Sequence, residues 1–410
     1  MFEQIHSYTD DAIEAVYARS AADMRSDKLD LSIGVYRDEL GAVTVMDAVT
    51  RAEARLLSGP RPKGYVSPLG NRRYVEAVEQ LVLGANHPAV SDNRVVSAQG
   101  PGAGGMLRVG AELIATLRPD ATLWLSDPVW EHQIEFFSRA GVPRRYYRYY
   151  DRHSGLLRFD EMLADLANAR AGDVVLIHGC CHNPTGADLS IAQWQRLADL
   201  CLERDLVPFV DVAYQGFGVN VEQDVAGVRL MAATVPEMLL AVSSSKSFTI
   251  YRERVGMLSL ILSSATRREH VSRWLRDLIR GLYFMPPDHG AAVVAEVLLD
   301  AEFRRSWNSE LDVFRERMIA SRTRLVDALS TALPRLDFNF ILGQQGMFSV
   351  LPLDAQQLDR LVRDHGIYLL SNGRLNFAAL PEKHTPRVAQ ALAAVMVDHP
   401  SETGVAAVAV

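Results

Sequence analysis

The sequence predicts an α/β protein, with a large domain on a mostly parallel sheet and a smaller α+β domain. Strand-like apolar runs alternate with helix-like stretches through the middle of the chain, the pattern of βαβ units with helices on both sheet faces. After Pro287 the pattern changes to long helices and then to a short mixed tail. A chain of 410 residues is also too long for one simple core.

The apolar runs are 94-RVVSAQ-99, 122-TLWLSD-127, 145-RYYRYY-150, 173-DVVLIHG-179, 207-VPFVDVAY-214, 239-LLAVSSS-245 and 256-GMLSLIL-262. Between them, 105–118 and 188–205 carry helical periodicity. Helices are expected over 290–299 and 306–333, and short strands near 347–351 and 374–379. The run 31-LSIGVY-36 reads as an opening strand that joins the tail in the smaller domain. The boundaries expected are an N-terminal arm and small-domain segment over 1–43, a large domain over 44–313 and a C-terminal small domain over 314–410. The small apolar stretch 403–410 fits either a packed tail or a frayed end.

Composition narrows the function. Hydrophobic residues make up 48% and charged residues 23%, ordinary for a globular protein. The net charge of -7, without a basic cluster, argues against a nucleic-acid partner. The acidic, polar start is unlike a signal peptide, and 291-AAVVAEVLL-299 is short and broken by Glu296, so no membrane partner is expected. Cys180, Cys181 and Cys201 are too few for a disulfide framework and suit a reducing, cytoplasmic setting.

Four segments carry chemistry. In 243-SSSKSFTIYRERVG-256, Lys246 follows an apolar strand in a hydroxyl-rich run. Desolvation and cationic neighbours free a lysine amine to form Schiff bases, while Ser243, Ser245 and Arg254 suit a phosphate. The same segment alone also fits a surface lysine in a serine-rich loop. In 207-VPFVDVAYQGF-217, Asp211 and Ala213 share a strand face and Tyr214 ends it. A buried carboxylate needs a positive partner, such as a protonated pyridine nitrogen; a capping aspartate is the plainer reading. In 178-HGCCHNPTG-186, two histidines and two cysteines resemble a metal site. Adjacent cysteines in an extended strand point to opposite faces, so no metal is expected there, and the turn presents Asn183. Finally, Gly100, Gly102 and Gly105 match G-x-G-x-x-G with Asp127 downstream. That pattern offers N–H groups to a phosphate without distinguishing a dinucleotide from another phosphorylated cofactor.

Taken together and in this order, these segments resemble the aspartate and aromatic amino acid aminotransferases, class I enzymes of fold type I that depend on pyridoxal 5'-phosphate. The resemblance runs from 33-IGVYRDELG-41 through 64-GYVSPLGNRRYVEAV-78 and 126-SDPVWEHQ-133 to 279-IRGLYFMPPDHGAAVV-294, 345-QGMFSV-350 and 373-GRLNFAAL-380. It implies that Lys246 holds the cofactor as a Schiff base and shuttles a proton. Asp211 pairs with the pyridine nitrogen, with His178 behind it. Asn183 and Tyr214 bond the ring hydroxyl, and Trp130 stacks opposite Ala213. Ser243, Arg254 and the amides of Gly102, Ala103 and Gly104 hold the phosphate. Tyr65 reaches that phosphate from a second copy, which implies a homodimer with shared sites. Arg374 grips the substrate α-carboxylate, Arg280 meets a distal carboxylate across the interface, and Ile33 and Gly34 close over the substrate.

Three departures from the family pattern bear on specificity. Gly104 stands where a hydroxyl residue is usual. Gln133 replaces a histidine beside the pyridine-binding aspartate, with His132 adjacent. Phe284 and Met285 replace a Ser-Asn pair near Arg280, which turns the side-chain pocket towards bulky substrates. The leading expectation is transfer of an amino group from an aromatic or acidic L-amino acid to a 2-oxo acid such as 2-oxoglutarate. A second reading is an enzyme of the same fold that performs elimination, cyclisation or substitution; a third is a ligand-sensing module without catalysis.

Overall fold

The computed structural model describes residue 2, residues 12–60 and residues 62–397. The stretch 403–410 lies outside the described residues.

The central sheet has seven strands: β1 (Val95–Pro101), β2 (Leu123–Asp127), β3 (Arg144–Arg148), β4 (Val174–His178), β5 (Val207–Val212), β6 (Met238–Ser243) and β7 (Val255–Ile261). Their order is β1-β7-β6-β5-β4-β2-β3. Only β7 runs antiparallel to its neighbours. The inner strands read as near-continuous apolar runs because both sheet faces are covered. Alternate residues feed two cores: Val175, Ile177, Val210 and Val212 on one face, Val174, Leu176, Phe209 and Ala241 on the other. The register sets His178 beside Asp211, so two polar groups emerge together at the C-terminal ends of β4 and β5.

Helices α1 (Gly102–Leu117), α2 (Glu131–Ser138) and α3 (Ile191–Glu203) follow β1, β2 and β4, and α4 (Arg268–Tyr283) follows β7. Ser190 and Gln193 close a capping box that starts α3. The long α5 (Ala301–Ala332) begins where Asp300 accepts the N–H groups of Glu302 and Phe303. Its Trp307, Leu311 and Phe314 pack in the core of the sheet, whereas Leu325, Val326 and Leu329 pack with Leu31, Leu375 and Leu392 in a separate core. One helix therefore serves both hydrophobic bodies. Among the described residues no helix is long and apolar enough to cross a membrane.

Several expected boundaries move. The run 31–36 is not a strand; only Leu29–Asp30 pairs, in parallel, with Ile367–Tyr368. The run 145–150 divides: Tyr150–Asp151 leaves the main sheet to pair with Leu156–Leu157. Strand β5 ends at Val212, so Ala213 and Tyr214 sit beyond it. The stretch 374–379 is a strand only over Arg374–Asn376, after which the chain turns. Local apolar alternation continues past these points, while tertiary pairing stops.

Candidate active site

The C-terminal ends of β4, β5 and β6 and the N-terminus of α1 surround a cavity. Ala103, Gly104, Trp130, Asn183, Asp211, Tyr214, Ser243, Lys246 and Arg254 line it, with His178, Ala213 and Ser245 completing its walls. Open parallel sheets place ligands at this end of their strands. A larger groove at the opposite end has mainly aliphatic walls, and its charged residues Arg118, Glu237, Arg267 and His270 are exposed. Size alone therefore does not locate the chemistry; convergent buried polar groups do.

Lys246 and Asp211 form the charged pair of the cavity. Burial lowers the Lys246 pKa to about 8; Asp211 opposes that shift, while Arg254 and Arg374 add to it. The amine lies 5.0 Å from the centre of the Tyr214 ring. Burial raises Asp211 to about 6, against the Lys246 charge and a hydrogen bond from Gln133. Gln133 Nε2 donates to Asp211 Oδ2 at 2.8 Å, and Asp211 Oδ1 is buried with no hydrogen-bond partner. A lone acceptor lobe of that kind fits the N–H of a protonated pyridine. His178 stands behind Asp211 as expected, but it reaches the carboxylate only through Gln133, at 3.3 Å.

The other end of the cavity suits a phosphate. Gly102 opens α1 with φ of 74°, and a Cβ there would lie 2.4 Å from Arg254 Nη2. Glycine thus lets the exposed guanidinium approach the helix N-terminus, where free N–H groups attract anions. Arg254 Nη1 donates to Ser245 Oγ at 3.4 Å, and the Ser245 N–H donates to Ser243 Oγ at 3.2 Å. The absent side chain at Gly104 has a steric reason, since a Cβ would come within 2.9 Å of the Phe136 ring. Serine hydroxyls, a guanidinium and helix amides together could hold the phosphate of pyridoxal phosphate, with Asp211 at its ring nitrogen and Lys246 at its aldehyde carbon.

Arg374 is 3% exposed; the Glu131 charge acts on it, but among the described residues no ion pair to it forms. Nη1 donates to Asn183 Oδ1 at 2.8 Å and Nη2 to the Ser32 carbonyl at 2.7 Å, while Nε is buried and unpaired. Burial depresses its pKa to about 10. Asn376 Nδ2 ties down the neighbouring segment through the carbonyls of Ile33 and Val35. Ile33 and Gly34 are thereby brought beside Arg374. The ring of Phe348 sits under Arg374 at 4.1 Å, meets Tyr214 edge-on and fills the space next to Gly34. Phe348 was not singled out from the sequence, although it lies inside 345-QGMFSV-350.

Two expected residues stand apart. Tyr65 is 87% exposed, Arg280 is exposed and hydrogen-bonded to Asp277, and neither lines the cavity of its own chain. Phe284 lies 6.0 Å from Tyr65, edge-on, and is 54% exposed. Its φ of 69° and ψ of -60° form a γ-turn closed by the Met285 N–H and the Tyr283 carbonyl.

The cysteine argument needs correction. Strand β4 ends at His178, and Cys181 adopts φ of 50°, so the two sulfurs do not diverge. Both sulfurs and an Asp224 oxygen lie within 4.8 Å of one another. Burial holds the Cys181 thiol well above its usual pKa. Asp224 instead accepts the N–H groups of Gly216, Gly218 and Val219, which shapes the loop after β5.

The family described as "Aminotransferase class I and II" matches residues 26–392. The chain is 41% identical over 397 residues to the aromatic-amino-acid aminotransferase of Escherichia coli (strain K12), covering 97% of this chain and 100% of that protein. It is 38% identical to the aspartate aminotransferase of Salmonella typhi, with 97% and 100% covered. The crystal structure of the aromatic-amino-acid aminotransferase from Burkholderia pseudomallei, covalently bound to pyridoxal phosphate, superposes with a TM-score of 0.94 at 42% identity, covering 96% of this chain and 99% of that one. A match spanning both hydrophobic cores and the cavity places the chain in the class I and II aminotransferase family, as a pyridoxal-phosphate-dependent aminotransferase.

Proposed function

We propose that this aminotransferase moves the amino group of aromatic and acidic L-amino acids to a 2-oxo acid such as 2-oxoglutarate, working in the cytoplasm as a homodimer. The observation that carries the proposal is Arg374, a buried guanidinium beside the Lys246–Asp211 pair whose missing partner is a carboxylate. Every amino acid and every 2-oxo acid brings one.

When bound, pyridoxal phosphate supplies an electron sink for the α-carbon and carries the amino group between the two half-reactions. Arg374 fixes the α-carboxylate as a fork, and Asn183 orients that fork. Lys246 Nζ takes the α-proton, and its pKa of about 8 leaves part of the population neutral at physiological pH. Asp211 Oδ1 would hold the proton on the ring nitrogen. Tyr214 would border the ring-hydroxyl side, and Trp130 would cover one ring face. Ser243, Ser245, Arg254 and the amides of Gly102, Ala103 and Gly104 would anchor the phosphate.

The exposed group of Tyr65, Arg280 and Phe284 supports both the dimer and the aromatic preference. Large rings left in solvent are suited to completing a second copy's site, Tyr65 at its phosphate and Arg280 at a distal carboxylate. Phe284, four residues beyond Arg280 in the chain, adds exposed apolar surface against which a substrate ring gains roughly 1–3 kcal/mol by burial. The relatives include both aromatic and aspartate aminotransferases. The test is kcat/KM for phenylalanine, tyrosine, tryptophan and aspartate in the parent and in Arg280→Ala, with sedimentation to establish the oligomer. Loss confined to aspartate supports the reading; equal loss for all substrates, or a strong parental preference for aspartate, refutes the specificity part.

A further inference from the structure

Two members of the cavity wall, Gly104 and Trp130, meet at a residue that does not itself line the cavity. A Cβ at Gly104 would lie 2.9 Å from Phe136 Cζ, 3.5 Å from Cε2 and 3.7 Å from Cε1. The same ring meets the Trp130 indole edge-on, with centroids 6.0 Å apart and planes at 72°. Ring edges carry positive and ring faces negative partial charge, so this contact is attractive and directional.

Chain position explains how one ring reaches both. Trp130 immediately precedes α2, and Phe136 lies in the second turn of that helix. His132, one turn earlier, sits 6.5 Å from the Phe136 ring and 5.2 Å from Trp130, which closes a three-ring cluster. Gly104 is the third residue of α1, and α1 packs against α2. Trp130 and Phe136 are both half-buried on the core that holds Leu107 and Phe137. A side chain at 104 and the Phe136 ring therefore compete for one volume, and glycine leaves it to the ring.

We propose that Phe136 is a positioning residue that holds Trp130 against the cofactor ring, from space that a hydroxyl residue at 104 would otherwise fill. The inference rests on the role proposed above for Trp130. The exchange is chemical as well as steric. A hydroxyl in the first turn of α1 would add a donor at the phosphate end of the cavity, whereas Phe136 strengthens the wall at the ring end. Retention of pyridoxal phosphate thereby moves from its phosphate towards its ring face.

Leucine at 136 lacks all three atoms that a Cβ at 104 would meet, so Gly104→Ser, Phe136→Leu and the double variant form a thermodynamic cycle. The measurements are the rate of pyridoxal phosphate release from the holoenzyme and ¹⁹F NMR of the apoenzyme labelled with fluorotryptophan, the Trp130 resonance being assigned with Trp130→Phe. Phe136→Leu should shift the Trp130 resonance and speed release about two- to tenfold, the range expected for one edge-on aromatic pair. In the parent, Gly104→Ser should displace the Phe136 ring, shift the same resonance and speed release. In the Phe136→Leu background the same substitution should leave the resonance in place and slow release, because the added hydroxyl then acts without a clash. This reversal of sign is the signature of a shared volume. A change of release in the same direction in both backgrounds, or a parental Trp130 resonance in Phe136→Leu, overturns the proposal. If Gly104→Ser does not fold, Phe136→Leu alone decides through the Trp130 resonance. Trp130→Ala in the release assay separates the two levels. Parental release in Trp130→Ala refutes the role of Trp130 itself, whereas faster release there with a silent Phe136→Leu refutes only the Phe136 proposal.

Discussion

Replacing Arg374 should separate function from stability. The guanidinium is 3% exposed, and its burial depresses the pKa to about 10. A depression of that size corresponds to roughly 3 kcal/mol of unfavourable burial in the substrate-free enzyme. Arg374→Leu removes this penalty but strands Asn183 Oδ1 and the Ser32 carbonyl, at roughly 1–3 kcal/mol each. The contributions nearly cancel, so Tm should stay within about 5 °C of the parent. Catalysis has no such compensation. A fork to the substrate carboxylate comprises two charge-assisted hydrogen bonds, each worth about 1.5–3 kcal/mol, so kcat/KM should fall by roughly two to four decades. Arg374→Lys keeps the charge without the planar fork and should lose about one to two decades. The assays are steady-state kinetics with an aromatic and an acidic amino acid, and thermal melts of the apoenzymes. A loss below tenfold, a loss confined to one substrate class, or a collapse of Tm that accounts for the inactivity would refute the reasoning.

Covalent capture of pyridoxal phosphate by the apoenzyme, trapped with borohydride and mapped to Lys246, should quicken with rising pH and level off above about pH 8, because only the neutral amine attacks; a midpoint near that of an ordinary lysine would contradict a buried amine. Asp211→Asn should abolish most turnover yet stabilise the apoenzyme. The carboxylate's raised pKa costs nothing below about pH 4, and its penalty builds up to roughly 3 kcal/mol above about pH 6, so the melting gain should be present at pH 8 and absent at pH 4. Gly102→Ala forces a Cβ against Arg254 in a left-handed conformation and should weaken cofactor retention while costing about 1–2 kcal/mol of stability, measured by dialysis and denaturant melts; unchanged retention would mean that Arg254 does not serve the phosphate.

Much of this protein was legible in the chain itself. Alternating runs fixed the α/β class, because buried parallel strands must be apolar on both faces and their βα units repeat locally. Lys246, Asp211, Asn183, Tyr214 and Arg254 could be named because each sits at a strand end or turn that its neighbours encode. Elsewhere the tertiary structure decided. Residues 31–36 look like a strand, but the partner that would make them one pairs only with Leu29 and Asp30. Cys180 and Cys181 converge because the chain leaves the sheet at His178 and Cys181 takes a left-handed conformation. Gly104 gives way to Phe136, and Phe348 supports Arg374 and Tyr214, through contacts between residues far apart in sequence. Gln133 meets both Asp211 and His178 because three elements converge there. Periodicity and turn chemistry are local and therefore written in sequence, whereas the partner of a buried polar group is set by packing, which only the folded chain contains.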